Sequence, residues 1–293
     1  MSISISDDRK RPLNFYSAPR RIVSLVPSDS YSVWALGAAV SLVGRTDYCV
    51  EPASLEFVPS VGGTKNPRIE QIVSLEPDLV LVNQEENTRS DIEALVARGL
   101  RVYVGFPQRV ADGFAHLARI ARILHLSQEP AVRALLREAY ALLSVPTLEL
   151  AVPRRAFCPI WMKPLMTING QTYISDTLAS CGLENAFARR DRLYPLSADL
   201  GLGDPVLAVD RDTRYPRVSS DELVQSAPDV VLLPTEPYPF TAEDEQQMRT
   251  WFDGVSRTPR FVPVDGKDIC WHGAWAVQGL PRLRRAVREL VLE

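Results

Sequence analysis

Ile69-Glu70-Gln71-Ile72-Val73-Ser74-Leu75-Glu76-Pro77-Asp78-Leu79-Val80-Leu81-Val82 returns later in the chain as Ser220-Asp221-Glu222-Leu223-Val224-Gln225-Ser226-Ala227-Pro228-Asp229-Val230-Val231-Leu232-Leu233. The Pro-Asp pairs at 77 and 228 stand 151 residues apart. In each copy an acidic residue in the first turn, Glu70 or Asp221, suits the positive end of a helix dipole. Seven residues later proline ends the helix, because it disfavours a helical residue before it and has no amide hydrogen to donate. The apolar run that follows is what a strand covered on both faces requires, as in a parallel sheet between helices. A repeat one domain length apart lies far beyond the about 20–50 residues of solenoid repeats. The pattern therefore predicts two similar α/β lobes with mainly parallel central sheets and a ligand cleft between them.

The bulk properties allow this. The 293 residues suffice for two hydrophobic cores. With 46% hydrophobic and 24% charged residues and a formal net charge of -3, the chain shows neither the basic footprint of a nucleic-acid binder nor an acidic tail. Cys49, Cys158, Cys181 and Cys270 lack paired spacing and read as buried free thiols. Residues 1–20 carry charges and prolines where a secretory leader needs an apolar stretch. As written, the sequence points to the cytoplasm, or to the periplasm if a leader precedes it. No apolar run is long enough to span a membrane, so direct membrane insertion is not expected, and a monomer is.

Outward from the repeat, residues 1–19 read as a flexible leader. Residues 20–126 read as the N-terminal lobe, 127–150 as a connecting backbone helix and 151–293 as the C-terminal lobe. A first strand at 21–26 turns through Pro27-Ser28-Asp29 into a helix stopped at Gly37. In the connector, Val132, Leu135, Leu136, Ala139, Leu142 and Leu143 share one helical face. Residues 189–216 form a long irregular stretch whose arginines, Arg189, Arg190, Arg192, Arg211 and Arg214, could meet an anionic ligand or simply face solvent. The last strand falls at 260–264 and a terminal helix at 278–292.

The first strand with its Pro-Ser turn, Gly62-Gly63-Thr64, the helix ending in Leu75-Glu76-Pro77-Asp78-Leu79-Val80 and the strand Gly99-Leu100-Arg101-Val102 together resemble a known class. It is the cobalamin and iron-siderophore class of substrate-binding proteins of ABC importers, the helical-backbone metal receptors, and within it the cobalamin-binding type. The resemblance covers residues 20–290. It implies two lobes bridged by one long helix, and a corrinoid or other metal chelate held between them without chemistry. It also implies that Glu70 and Asp221, one per lobe, dock onto an ABC permease, although both equally serve as helix N-terminal charges.

A corrinoid is a large, partly apolar disc with amide arms, so its site needs aromatic walls and scattered polar groups. Loops beyond the carboxyl ends of strands should supply them. Those loops carry Ser28, Asp29, Tyr48, Thr64 and Phe106 in the first lobe, and Trp161, Lys163, Tyr238, Trp271, His272 and Trp275 in the second. The tryptophans read as cleft walls or as packing for the last helix. His272 reads as a polar contact or as an axial ligand to the chelate's metal; no other protein metal ligand and no resident cofactor is expected. His116 and His125 read as surface or packing residues. No catalytic or phosphate-binding motif is present, so the sequence argues against an enzyme. The alternatives are a cytoplasmic sensor or scaffold that kept the fold, and a ferric-siderophore or haem receptor.

Overall fold

Both copies of the Pro-Asp segment fold as helix, corner and strand over matched spans. The computed structural model describes residues 2–145 and 154–292, and the chain divides into two units. Unit 1 takes Met1–Pro107, Ala111–Ser144 and Trp271–Val277; unit 2 takes Gln108–Val110, Val145–Cys270 and Gln278–Glu293.

Through unit 1 run β1 (Ile3–Ser6), β2 (Pro12–Phe15), β3 (Ile22–Ser24), α1 (Pro27–Ala35), β4 (Leu42–Arg45), α2 (Ile69–Ser74), β5 (Leu79–Asn83), α3 (Arg89–Ala97), β6 (Val102–Gly105), α4 (Val110–Ile123) and α5 (Pro130–Leu142). Then come β7 (Arg154–Phe157), α6 (Tyr173–Ser180), β8 (Leu183–Asn185), α7 (Leu196–Asp199), α8 (Ser220–Gln225), β9 (Val230–Pro234), α9 (Ala242–Thr250), β10 (Arg260–Val264), α10 (Gly266–Cys270) and α11 (Ala274–Leu292). The unit 1 sheet has the order β4-β3-β5-β6 and the unit 2 sheet β8-β7-β9-β10, both parallel throughout. The two orders are the same once each strand is matched to its repeat partner. In register, Val80 lies opposite Val23 in one sheet, and Val231 lies opposite Phe157 in the other.

The continuous apolar runs are explained by alternation between two covered faces. Leu79 and Leu81 face a core with Ile22, Tyr103 and the α4 residues Leu117 and Ile120. Val80 and Val82 face another with Val23, Val104, Ile72 of α2 and Leu95 of α3. In unit 2, Val231 and Leu233 pack with Phe157, Leu223 of α8 and Met248 of α9. The Pro-Asp corner is also duplicated at the level of single atoms. Asp78 Oδ2 accepts from the Arg20 and Arg21 amides at 2.8 and 3.0 Å, and the Asp78 amide donates to the Arg21 carbonyl at 2.7 Å. Asp229 Oδ2 accepts from the Arg155 amide at 2.7 Å, and its own amide donates to the Arg155 carbonyl at 2.8 Å. Each aspartate thus pins the start of the neighbouring strand. The residue before each proline, Glu76 and Ala227, sits at φ +45° in both copies.

Of the predicted flexible leader, residues 1–19, the described part is ordered. β1 and β2 form an antiparallel hairpin with Ile3 opposite Phe15 and Ile5 opposite Leu13. Phe15 is fully buried and Ile5 nearly so, both in the first core. Asp8 fixes the hairpin by accepting from Arg119 Nη1 at 2.8 Å and from the Phe106 amide at 2.6 Å. The predicted connector is helical as α5, with Val132 and Ala139 buried and Leu135 and Leu136 packed on the first core. Leu143 is exposed, so the apolar face ends before it. Residues 146–150 of the predicted connector and the boundary at 151 lie outside the described residues. Within the predicted irregular stretch, α7 and a bridge between Tyr194 and Val206 give local order. Among the described residues no helix is long and apolar enough to cross a membrane.

Candidate functional site

At the carboxyl ends of the unit 1 strands, three distant segments converge on one buried polar cluster. α1 starts at Pro27, whose fixed φ and missing amide hydrogen suit the first helical turn. The helix therefore begins directly after β3 and carries Ser28 and Asp29 inward, 2% and 1% exposed. α4 brings His116, fully buried, against the end of β6. Gly105 makes room for it, because a Cβ there would come within 2.5 Å of the imidazole Cε1. The third segment, 271–277, is fixed to α1 where the Ala274 amide donates to Ser32 Oγ at 3.1 Å. Gly273 permits that approach: its φ is +69°, and a Cβ would meet Ser32 Oγ at 2.6 Å.

His116 Nε2 donates to Asp29 Oδ1 at 2.8 Å. His272 Nε2 lies 3.0 Å from Ser28 Oγ and 3.4 Å from Asn83 Nδ2, while its Nδ1 stands 3.8 Å from Asp29 Oδ1. The two imidazoles meet edge to face with centroids 5.2 Å apart, and His116 stacks on Tyr103 at 5.6 Å. Burial opposes the charge on Asp29, yet His116, by its field and its hydrogen bond, holds that carboxyl below the usual range. Burial pushes the His272 imidazole down to about 4, so it is neutral at pH 7. Serine, histidine and aspartate in this order suggest a nucleophile and its base, but 3.8 Å is too long for the second hydrogen bond and Ser28 is buried.

The predicted ligand contacts therefore fall into two groups. Ser28, Asp29 and His272 belong to this cluster, and Trp271 and Trp275 are buried beside it, 5% and 7% exposed. Trp275 meets Trp271 at 5.2 Å and Tyr31 at 5.0 Å, both edge-on. These five residues pack unit 1, where the sequence suggested ligand-facing loops. The other group is accessible. In unit 1, Tyr48 is 61% exposed after β4, with Thr64 and Phe106 half-buried on neighbouring strand-end loops. In unit 2, Trp161 is 44% exposed after β7, 5.3 Å from Tyr238, which in turn meets Phe240 at 4.8 Å. Trp161 Nε1 donates to the carbonyl of Lys163, whose side chain is exposed.

The arginines of 189–216 are largely committed within unit 2. Arg190 pairs with Asp199 and Glu222 at 3.2 and 2.7 Å, beside a cavity of about 440 Å³. Arg192 and Arg211 lie over the Tyr194 ring at 4.5 and 4.8 Å, and Arg214 holds Asp212 at 2.6 Å. Of the acidic pair, Glu70 is exposed and bound by Arg98 at 2.6 Å, which holds its carboxyl below the usual range. Asp221 is exposed and has no ion pair among the described residues; its neighbour Glu222 takes Arg190 instead.

Residues 22–132 match the periplasmic binding protein family. A vitamin B12-binding protein of Photorhabdus laumondii is 28% identical over 183 residues, 62% of this chain and 66% of that protein. A second, from Yersinia pestis, is 25% identical over 74% of this chain and 70% of its own length. In sequence the chain is thus similar to vitamin B12-binding proteins, with the family match confined to residues 22–132. The fold agrees across nearly the whole chain. The periplasmic vitamin B12 binding protein BtuF of Vibrio cholerae superposes with a TM-score of 0.68 at 17% identity, covering 94% of this chain and 99% of that one. The periplasmic heme binding protein HutB of the same organism also scores 0.68, at 18% identity, covering 90% and 97%. Equal scores for two different ligands mean that the fold alone does not choose between them.

Proposed function

We propose that this chain is a non-enzymatic substrate-binding protein that holds a corrinoid, or another planar metal chelate, for an ABC-type uptake system. The observation that carries the reading is an exposed aromatic at the carboxyl edge of each sheet, Tyr48 in unit 1 and Trp161 in unit 2. Accessible rings suit the flat, partly apolar faces of such a ligand. The description of the matched family and the titles of similar solved structures read periplasmic, which supports the periplasmic alternative over the cytoplasmic reading of the first twenty residues. The commitment of Arg190, Arg192, Arg211 and Arg214 to partners within unit 2 weighs against an anionic ferric siderophore. Glu70 and Asp221, exposed at matched repeat positions, are the residues offered to a permease.

Adding hydroxocobalamin, cobinamide, haem or a ferric hydroxamate to the protein tests the reading. A corrinoid is expected to shift its visible spectrum and raise Tm, since ligand at 100 times Kd adds about 2.7 kcal/mol. Tyr48→Ala and Trp161→Ala should each weaken binding about tenfold with Tm unchanged. No response to any of the four ligands overturns the proposal.

A further inference from the structure

Asp29, His116 and His272 offer one ligand atom each, and these atoms lie within 4.8 Å of one another. All three residues belong to unit 1 and none is more than 4% exposed. The geometry points to a binding site for a single divalent transition-metal ion, held by Asp29 Oδ1, His116 Nε2 and His272 Nδ1, distinct from any metal carried inside a chelate.

Ligands of a tetrahedral ion bound at about 2.0–2.1 Å lie about 3.3 Å apart. Here Oδ1 is 2.8 Å from His116 Nε2 and 3.8 Å from His272 Nδ1, so each of these two spacings lies about half an ångström from the coordination value. A second observation is independent of these distances. Asp29 Oδ2 and His116 Nδ1 are buried without a hydrogen-bond partner among the described residues, which is costly for a cluster meant only to be a hydrogen-bonded core. Ion binding gives Oδ2 a purpose. Oδ2 becomes available as a second carboxylate ligand, and the proton that His116 Nε2 gives up on ligation can be carried on Nδ1. The outer partners also fit, because Ser28 Oγ beside His272 Nε2 fixes that ring with Nδ1 turned toward Asp29. Two imidazoles and a carboxylate suit zinc, cobalt, nickel or ferrous ions. They do not suit magnesium or calcium, which prefer oxygen alone, or cuprous ion, which prefers sulfur. Bound there, the ion joins α1, α4 and segment 271–277.

The test uses untagged full-length protein stripped with chelator, then titrated with Zn2+ or Co2+ alone and no corrinoid, so its outcome is separate from that of the chelate proposal. The expected result is one equivalent of Zn2+ with Kd below about 1 μM, a Tm raised by several degrees, and intense visible bands for low-coordinate Co2+. His116→Ala and Asp29→Asn should each weaken Zn2+ binding at least about 100-fold, while His125→Asn, outside the cluster, leaves it unchanged. Since substitutions in a buried cluster can unfold the unit, side-chain nitrogen shifts of His116 and His272 in the unaltered protein provide the second readout, and Zn2+ should move both. Absence of stoichiometric binding overturns the proposal. So does binding that leaves those shifts in place, survives His116→Ala, or is lost in His125→Asn.

Discussion

At residue 78 in unit 1 and residue 229 in unit 2, the same carboxylate performs the same task, receiving amide hydrogens from the start of the adjacent strand. The surroundings differ. Asp78 is exposed, whereas Asp229 is also gripped by Arg257 at 2.6 Å, with Arg154 at 3.9 Å. Beyond the corner the units part further, since all three histidines, His116, His125 and His272, fall in unit 1. The comparison teaches that duplication preserved the backbone hydrogen bonds that set strand order and left the strand-end loops free to acquire different chemistry.

The largest effects should come from the matched helix anchors. Ile72 and Leu223, fully buried at equivalent repeat positions, should each cost about 2–5 kcal/mol on replacement by alanine. Hydrogen exchange should assign the loss mainly to the unit that carries the change; equal loosening of both units by either variant would break the comparison. Acid comes next. With chelator present, the unfolded chain protonates residue 272 at about pH 6.5, whereas the folded pKa is about 4. Stability is therefore complete above pH 6.5 and falls toward pH 4, by on the order of 2–3 kcal/mol. Exchange measured between pH 7 and 4.5 should loosen unit 1 before unit 2, and the opposite order would discard the assignment.

Asp229→Ala should cost about 2–3 kcal/mol and Asp78→Ala about 1–2 kcal/mol in urea denaturation, because the Asp229 side chain, 13% exposed, also pairs with Arg257 and Arg154. Equal costs would show that the amide hydrogen bonds alone matter. The smallest effect has the opposite sign: Glu76→Gly and Ala227→Gly each relieve a left-handed backbone and should stabilise by about 0.5–1 kcal/mol.

Much of this architecture was legible because the repeat is written in local grammar. Helix, proline, aspartate and apolar run occur within fourteen residues of each copy, and the helices and strands fall at matched positions. The hairpin at the start of the chain was missed because its two four-residue strands flank a charged turn; the alternation of Ile3 with Ile5 and of Leu13 with Phe15 was the available signal. The buried cluster was not legible. Its hydrogen-bonded pairs are separated by 87 and 244 residues, and nothing local to Asp29, His116 or His272 announces that they meet. For the same reason the loop-by-loop assignment of ligand contacts could not tell that Ser28 and Asp29, in α1 just after β3, and Trp271 and Trp275, beyond α10, would be inside.

Segment 271–277 gives unit 1 two buried indoles and one imidazole from a stretch of chain otherwise belonging to unit 2. A gene fragment ending near residue 145 would therefore encode every strand of the first sheet and still lack part of its interior. On a ribosome, likewise, this half of the molecule stays unfinished until residues 271–277 have been added.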